Sequence, residues 1–184
     1  MEKTDLRTHH LKLRQNMTDS KRAKKSEEII KKLKSLPCYK NAKNIMVYLS
    51  AKGEVKTESF IKQALSDGKK LASPVCRENF LMDGVIFSDF SDLILGKYNI
   101  LAPKGEETMP ACDIDLLIVP GSVFGRNKHR IGYGKGYYDR FIEKTNNRCI
   151  KVGICFSDNL IDAVPYSEFD KTLDVIITEN EIIM

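Results

Sequence analysis

Apolar positions recur along the chain in two rhythms. Up to residue 36 they follow helical spacing: Leu6, His10, Leu13 and Met17 form one modest apolar stripe, with Lys3, Arg7 and Arg14 in a second stripe beside it. Thr18, Asp19 or Ser20 can cap a second helix, whose Ala23, Ser26, Ile30 and Leu33 share a face and which Leu36-Pro37 stops. Beyond that point short apolar runs appear at Ile45–Leu49, Leu71–Val75, Val85–Phe87, Leu116–Val119, Val152–Phe156 and Val175–Thr178. Most do not alternate with polar residues, as expected of strands buried on both faces. Thr57–Ser66 carries a helical face of Phe60, Ile61, Ala64 and Leu65, and Gly136–Lys144 reads as a helix. This alternation predicts an α/β fold: one three-layer domain over residues 1–184 with a mainly parallel sheet and a basic helical segment at about 1–36. Asn79–Gly84 and Lys104–Pro110 read as surface loops.

Composition narrows the class. With 42% apolar and 30% charged residues, the 184-residue chain can build a proper core, which excludes disorder as the main state. No window approaches the ~20 apolar residues of a spanning helix. The opening MEKTDLRTHHLKLRQ lacks a signal peptide's apolar run, so a cytoplasmic protein is expected, with no membrane partner. Five widely spaced cysteines without a CxxC pair argue against a zinc or redox site, and the several that sit in apolar runs read as small buried hydrophobes. The net charge of +5 is uneven, because residues 1–36 hold eleven Lys/Arg against five Asp/Glu. Such a segment can be a solvated face, a nucleic-acid arm or part of an anion site.

The richest stretch runs from Val119 to Phe141, VPGSVFGRNKHRIGYGKGYYDRF. A buried strand ends at Pro120-Gly121. A basic loop with Arg126, Lys128, His129 and Arg130 follows, and Gly132, Gly134 and Gly136 then alternate with Tyr133 and Lys135. Glycines let backbone N–H groups turn toward an anion, a following helix adds donors, and Arg130 and Lys135 add charge. Tyr137 and Tyr138 offer flat surfaces for an aromatic ligand. The spacing is neither a Walker A loop nor the dinucleotide GxGxxG, so by itself it also suits a tight strand-to-helix turn with surface charges. His9, His10 and His129 are not expected to bind metal.

The whole string resembles the 5-formyltetrahydrofolate cyclo-ligase family, in which a strand ending in Pro-Gly precedes Phe and an Arg-x-Gly-x-Gly-x-Gly-Tyr-Tyr-Asp run. Here these are Pro120-Gly121, Phe124, Arg130, Gly132, Gly134, Gly136, Tyr137, Tyr138 and Asp139. Lys3-Thr-Asp-Leu6-Arg7, Glu54-Val55-Lys56-Thr57 and Lys171-Thr-Leu-Asp174 are similar to further family segments. Two positions depart: Gly125 stands where the family commonly has Asp, and Lys128 where it commonly has Gly. The resemblance implies a ligase that uses ATP and Mg²⁺ to turn 5-formyltetrahydrofolate into 5,10-methenyltetrahydrofolate, releasing ADP and phosphate. It implies a fold similar to the sugar-phosphate isomerase and coenzyme A transferase type. It also implies that Lys3, Arg7, Arg130, Ile131, Gly132, Tyr133, Gly134, Lys135, Gly136, Tyr137 and Tyr138 bind ATP. Leu49, Glu54, Tyr133, Gly134, Lys135, Gly136 and Tyr137 would bind folate. Arg130, Lys135 and Tyr137 would be catalytic, and Asp139 and Asp174 would hold Mg²⁺. The expected partner is a small folate substrate, not nucleic acid, and the expected state a monomer or weak homodimer. A phosphosugar isomerase or acyl-transfer enzyme would leave Lys3, Arg7 and Tyr-Tyr-Asp unexplained. A nucleic-acid-binding protein would show a recognition motif that is absent here.

Overall fold

The computed structural model describes residues 2–51, 53–96 and 100–184. The chain opens with helices α1 (Lys3–Gln15), α2 (Asp19–Ser35) and α3 (Pro37–Asn41), then β1 (Asn44–Met46), α4 (Glu58–Ser66), β2 (Lys70–Cys76) and β3 (Met82–Phe87). Short strands follow: β4 (Leu93–Leu95), β5 (Leu101–Pro103), β6 (Thr108–Met109), β7 (Leu116–Val119), β8 (Val123–Gly125) and β9 (Arg130–Ile131). Helix α5 (Tyr137–Ile142), β10 (Ile150–Ile154), β11 (Leu160–Ile161), β12 (Val175–Ile177) and β13 (Ile182–Ile183) complete it.

One eight-stranded sheet runs β13-β12-β10-β7-β1-β2-β3-β6. Its centre, from β12 to β2, is parallel, and β13, β3 and β6 add antiparallel edges. All six apolar runs supply strands of this sheet, so the mixed α/β, mostly parallel reading holds. The unbroken apolar runs have a direct cause. Along β7, Leu116 and Ile118 pack toward α2 and α4, whereas Leu117 and Val119 pack toward α5 and Phe124. Both faces are covered, so neither tolerates polar residues.

Four local readings change. The buried face of α1 is Leu6, His10 and Arg14, continued by Met17, while Leu13 is 40% exposed. The helix is rotated by about one residue because Arg14 finds acceptors inside. The expected loop at 79–84 ends within β3, where Gly84 lies against Met46 and Ala72. The expected loop at 104–110 contains β6, whose Met109 is buried. Glycine and proline read there as turn signals, but close packing places them in or beside strands. Helix α5 is also shorter than Gly136–Lys144.

Candidate active site

The glycine loop leaves the carboxyl end of β7, the usual ligand edge of a parallel sheet. Between them, β8 and β9 pair as a hairpin and join β11 in a small sheet. Helix α1 packs on that sheet through Leu6, beside Val123, Ile131 and Val164. The basic segment is thus docked over the loop rather than left as a free arm.

The loop itself needs its glycines. Gly134 and Gly136 have φ of +94° and +65°, a region that side chains rarely adopt. Arg7 Nε donates to the Gly132 carbonyl at 2.9 Å, and its guanidinium lies 3.6 Å from where a Cβ on Gly134 would sit. Lys3 instead forms an ion pair with Asp170. So the structure brings Arg7 to the loop and ties Lys3 to the segment beyond β11. Lys135 rests 5.6 Å from the Phe80 ring centroid. Helix α5 spans only six residues, so what this loop could offer an anion is backbone turns and side-chain cations rather than a long helix dipole.

Tyr133 joins the loop to a second group. Its hydroxyl meets Glu54, whose other oxygen accepts from Ala51 N at 3.0 Å. Arg14 Nη2 donates to the same hydroxyl at 2.9 Å, and Arg14 Nη1 to the Gly121 carbonyl at 3.2 Å. Desolvation, and then the Glu54 carboxylate, push the Tyr133 phenol well above its ordinary range. Leu49 is buried in the adjoining core. A small cavity beneath is lined by Arg14, Tyr48, Glu54, Gly121, Cys155 and Asn159. Burial raises the Cys155 thiol far out of the reactive range, as expected of a structural cysteine.

Arg130 and Asp139 form a third group. Arg130 is 5% exposed, and its Nη1 donates to Asp139 Oδ1 at 2.9 Å. Lys171 N donates to the same oxygen at 3.1 Å, leaving Oδ2 without a hydrogen bond among the described residues. The Arg130 guanidinium lies 5.8 Å from the Tyr138 ring centroid. Tyr138 keeps its hydroxyl out of solvent, which drives its pKa well up. Ile131 is buried in the small sheet. Tyr137 sits 6.2 Å from Phe80, ring to ring.

Asp174 is placed elsewhere. It precedes β12, at the amino edge of the parallel strands, and binds Lys151 Nζ at 2.9 Å and Lys151 N at 2.7 Å. Among the described residues no group of three or more His, Cys, Asp or Glu could cage a metal. One or two carboxylates completed by phosphate oxygens and water suffice for Mg²⁺, and Asp139 Oδ2 fits that pattern. His129 stacks on Tyr166 at 3.8 Å, and its burial lowers its pKa.

The sequence reading of the site omits Arg14, Asp170, Phe80 and Arg140. Arg14 has a signal, seven residues after Arg7 on the same stripe. Phe80 reaches the loop only through tertiary packing, Arg140 is an exposed side chain just beyond it, and Asp170 meets Lys3 rather than the loop.

The two departures from the family pattern have physical accounts. A Cβ on Gly125 would lie 2.1 Å from Asn127 Oδ1 and 2.7 Å from Val164 N. Asn127 uses that space to bond Val164 in both directions, at 3.0 and 3.2 Å. Lys128 has φ +63°, so a lysine occupies a backbone that favours glycine. Left-handed backbone costs a non-glycine residue about 1–3 kcal/mol, against about 0.5–1 kcal/mol for glycine's extra freedom when unfolded. Lys128→Gly is therefore expected to stabilise the protein by about 1 kcal/mol, raising Tm by about 2–4 °C. Thermal denaturation checks it, and a lowered Tm would show that Lys128 contributes more than it strains.

The comparisons with known proteins bear on the family and the fold. The family model described as the 5-formyltetrahydrofolate cyclo-ligase family matches residues 1–179. A Schizosaccharomyces pombe protein named "Probable 5-formyltetrahydrofolate cyclo-ligase" is 31% identical over 188 residues, covering 94% of this chain and 90% of its own. The Escherichia coli K12 5-formyltetrahydrofolate cyclo-ligase is 25% identical over 175 residues, covering 92% and 96%. The NMR structure of Aquifex aeolicus 5,10-methenyltetrahydrofolate synthetase superposes with a TM-score of 0.87 at 32% identity, covering 99% of this chain and 92% of that one. The chain belongs to the 5-formyltetrahydrofolate cyclo-ligase family, and the protein is a ligase.

Proposed function

We propose that the protein closes 5-formyltetrahydrofolate to 5,10-methenyltetrahydrofolate, using ATP with Mg²⁺ and releasing ADP and phosphate. The observation that carries this reading is that Tyr133 belongs to both halves of the site. It lies within the glycine loop that Arg7 approaches, and its hydroxyl engages Glu54 and Arg14 on the other side. A phosphate donor and a folate held by these two groups would meet across one residue.

The chemistry needs such a meeting. The formyl oxygen attacks the terminal phosphorus, the bond to ADP breaks, and the formyl carbon becomes electrophilic. N10 then attacks that carbon, the C–O bond breaks with release of phosphate, and N10 loses its proton. No covalent nucleophile is required, so positioning and charge stabilisation carry the rate. In this reading Arg7, Lys3 and the turns from Gly132 to Gly136 hold the phosphates, with Lys135 and Tyr137 at the transferred group. Arg130 and Ile131, both buried, fix the start of the loop, and Arg130 acts through Asp139 and Tyr138. Glu54, with Leu49 behind it, takes the paired donors of the pterin edge, and Tyr133 orients that carboxylate. Asp139 is the better placed Mg²⁺ ligand and Asp174 the more distant one; the metal would offset charge on the phosphates. The likeness to the sugar-phosphate isomerase and coenzyme A transferase type, a monomer or weak homodimer, and a cytoplasmic place belong to the same reading. No described helix is long and apolar enough to cross a membrane.

The test is direct. Purified protein with 5-formyltetrahydrofolate, ATP and Mg²⁺ is expected to generate the methenyl product's absorbance, and omission of either ATP or metal is expected to abolish it. Equal product without ATP would overturn the reading.

A further inference from the structure

The β2–β3 connection carries strain that its sequence does not require. Leu81 N bonds the Glu78 carbonyl at 3.1 Å around Asn79 and Phe80, whose φ angles are +53° and +57°. Two successive left-handed residues make a hairpin turn of the kind that favours Asn-Gly. Asn79 suits its place, but a phenylalanine that is 51% exposed stands where glycine belongs. Core packing does not account for it.

The ring's neighbours do. Lys135 Nζ and the Arg140 guanidinium lie 5.6 and 5.5 Å from its centroid. Arg140 Nε donates to the Phe80 carbonyl at 3.1 Å, and Arg140 Nη2 donates to the Lys135 carbonyl. One guanidinium thus ties the strained turn to the glycine loop, and one ring carries the loop's lysine. We infer that Phe80 and Arg140 are positioning residues that clamp Lys135 over the glycine loop. Strain of this type persists where surrounding contacts hold it, and it gathers at functional sites. The inference rests on the reading of Lys135 as a group at the transferred phosphate.

The experiment is a double-mutant cycle on the methenyl-forming rate, with Tm recorded for each variant. Phe80→Gly is expected to lower kcat about tenfold while Tm stays at or above that of the parent, since the turn gains its favoured residue. Phe80→Trp restores a face for the cation and is expected to restore the rate. Arg140→Lys keeps the charge but loses the fork, and is expected to lower kcat without raising Tm. In a Lys135→Ala background, Phe80→Gly is expected to cost less than about twofold. Full additivity of the two losses, or a fall in Tm with an unchanged rate, would overturn the clamp. Amine labelling read by mass spectrometry judges the clamp even if the wild-type protein makes no product. Release from the ring is expected to speed Lys135 modification about two- to fivefold in Phe80→Gly, and an unchanged labelling rate would overturn the clamp. An inactive wild type would instead count against the proposed function alone.

Discussion

Arg14→Gln is expected to raise the folate KM by about tenfold or more while leaving the ATP KM within about twofold. Arg14 is 4% exposed and donates to the Gly121 carbonyl and the Tyr133 hydroxyl. Hydrogen bonds from a charged donor are worth about 1.5–3 kcal/mol, and about 1.4 kcal/mol is tenfold in affinity. Glutamine is shorter and neutral, so it neither reaches both acceptors nor balances Glu54 beside them. The same loss is expected to lower stability by about 1–3 kcal/mol, because the buried acceptors lose a partner. Tyr133→Phe separates the general effect from the specific one. It keeps the ring and removes the hydroxyl that links Arg14 to Glu54. If Arg14 acts on folate through that link, Tyr133→Phe shifts the folate KM in the same direction, and the double variant adds little. Steady-state kinetics with each substrate varied in turn gives the answer. An unchanged folate KM, or equal rises for both substrates, would return Arg14 to a structural role.

Arg14 also marks how far the sequence can be read. Periodicity puts it in a stripe with Lys3 and Arg7, but a basic stripe looks the same whether it faces water or a carboxylate. Leu13 offers a better apolar partner than an arginine, so hydropathy alone turns the stripe outward. What reverses this is the carbonyl edge left open at Gly121 and the Glu54 side chain arriving from a distant turn. The central strands are legible for the opposite reason. Burial on both faces leaves an unbroken apolar run, and nothing polar competes with it. Strands of two or three residues such as β8, β9 and β11 carry no such run. They exist because the chain on either side holds them together. The glycine loop is legible through composition, since left-handed turns at Gly134 and Gly136 tolerate few other residues. Its supports at Phe80 and Arg140 are not. Each meets the loop through a contact across long sequence separation or through an exposed side chain of common type.

Asp139→Asn is expected to act on stability and on metal use at once, by separable routes. The sequence alone sets a helix-end charge, worth about 0.3–1 kcal/mol, against a metal ligand. The structure adds a stronger interaction, because Asp139 balances Arg130, whose side chain is 3% exposed. Removing one partner of a buried pair costs about 3–5 kcal/mol. Asp139 is itself 20% exposed and asparagine keeps one acceptor, so a loss of about 2 kcal/mol is expected, lowering Tm by about 4–8 °C. That loss comes from Arg130 and is read without Mg²⁺, where a lost metal ligand cannot add to it. The metal route is read separately, as the Mg²⁺ concentration giving half-maximal rate. With Oδ2 as ligand, that concentration is expected to rise about tenfold or more, and saturating Mg²⁺ to recover part of kcat. Asp174→Asn is the comparison. Its pair with Lys151 is 40% exposed on the aspartate side, so its removal is expected to cost under about 1 kcal/mol and to leave the metal requirement in place. A fall in Tm with an unchanged Mg²⁺ requirement would make Asp139 the counter-ion of Arg130 and nothing more. A shift in that requirement for Asp174→Asn alone would move the metal to the amino edge of the sheet.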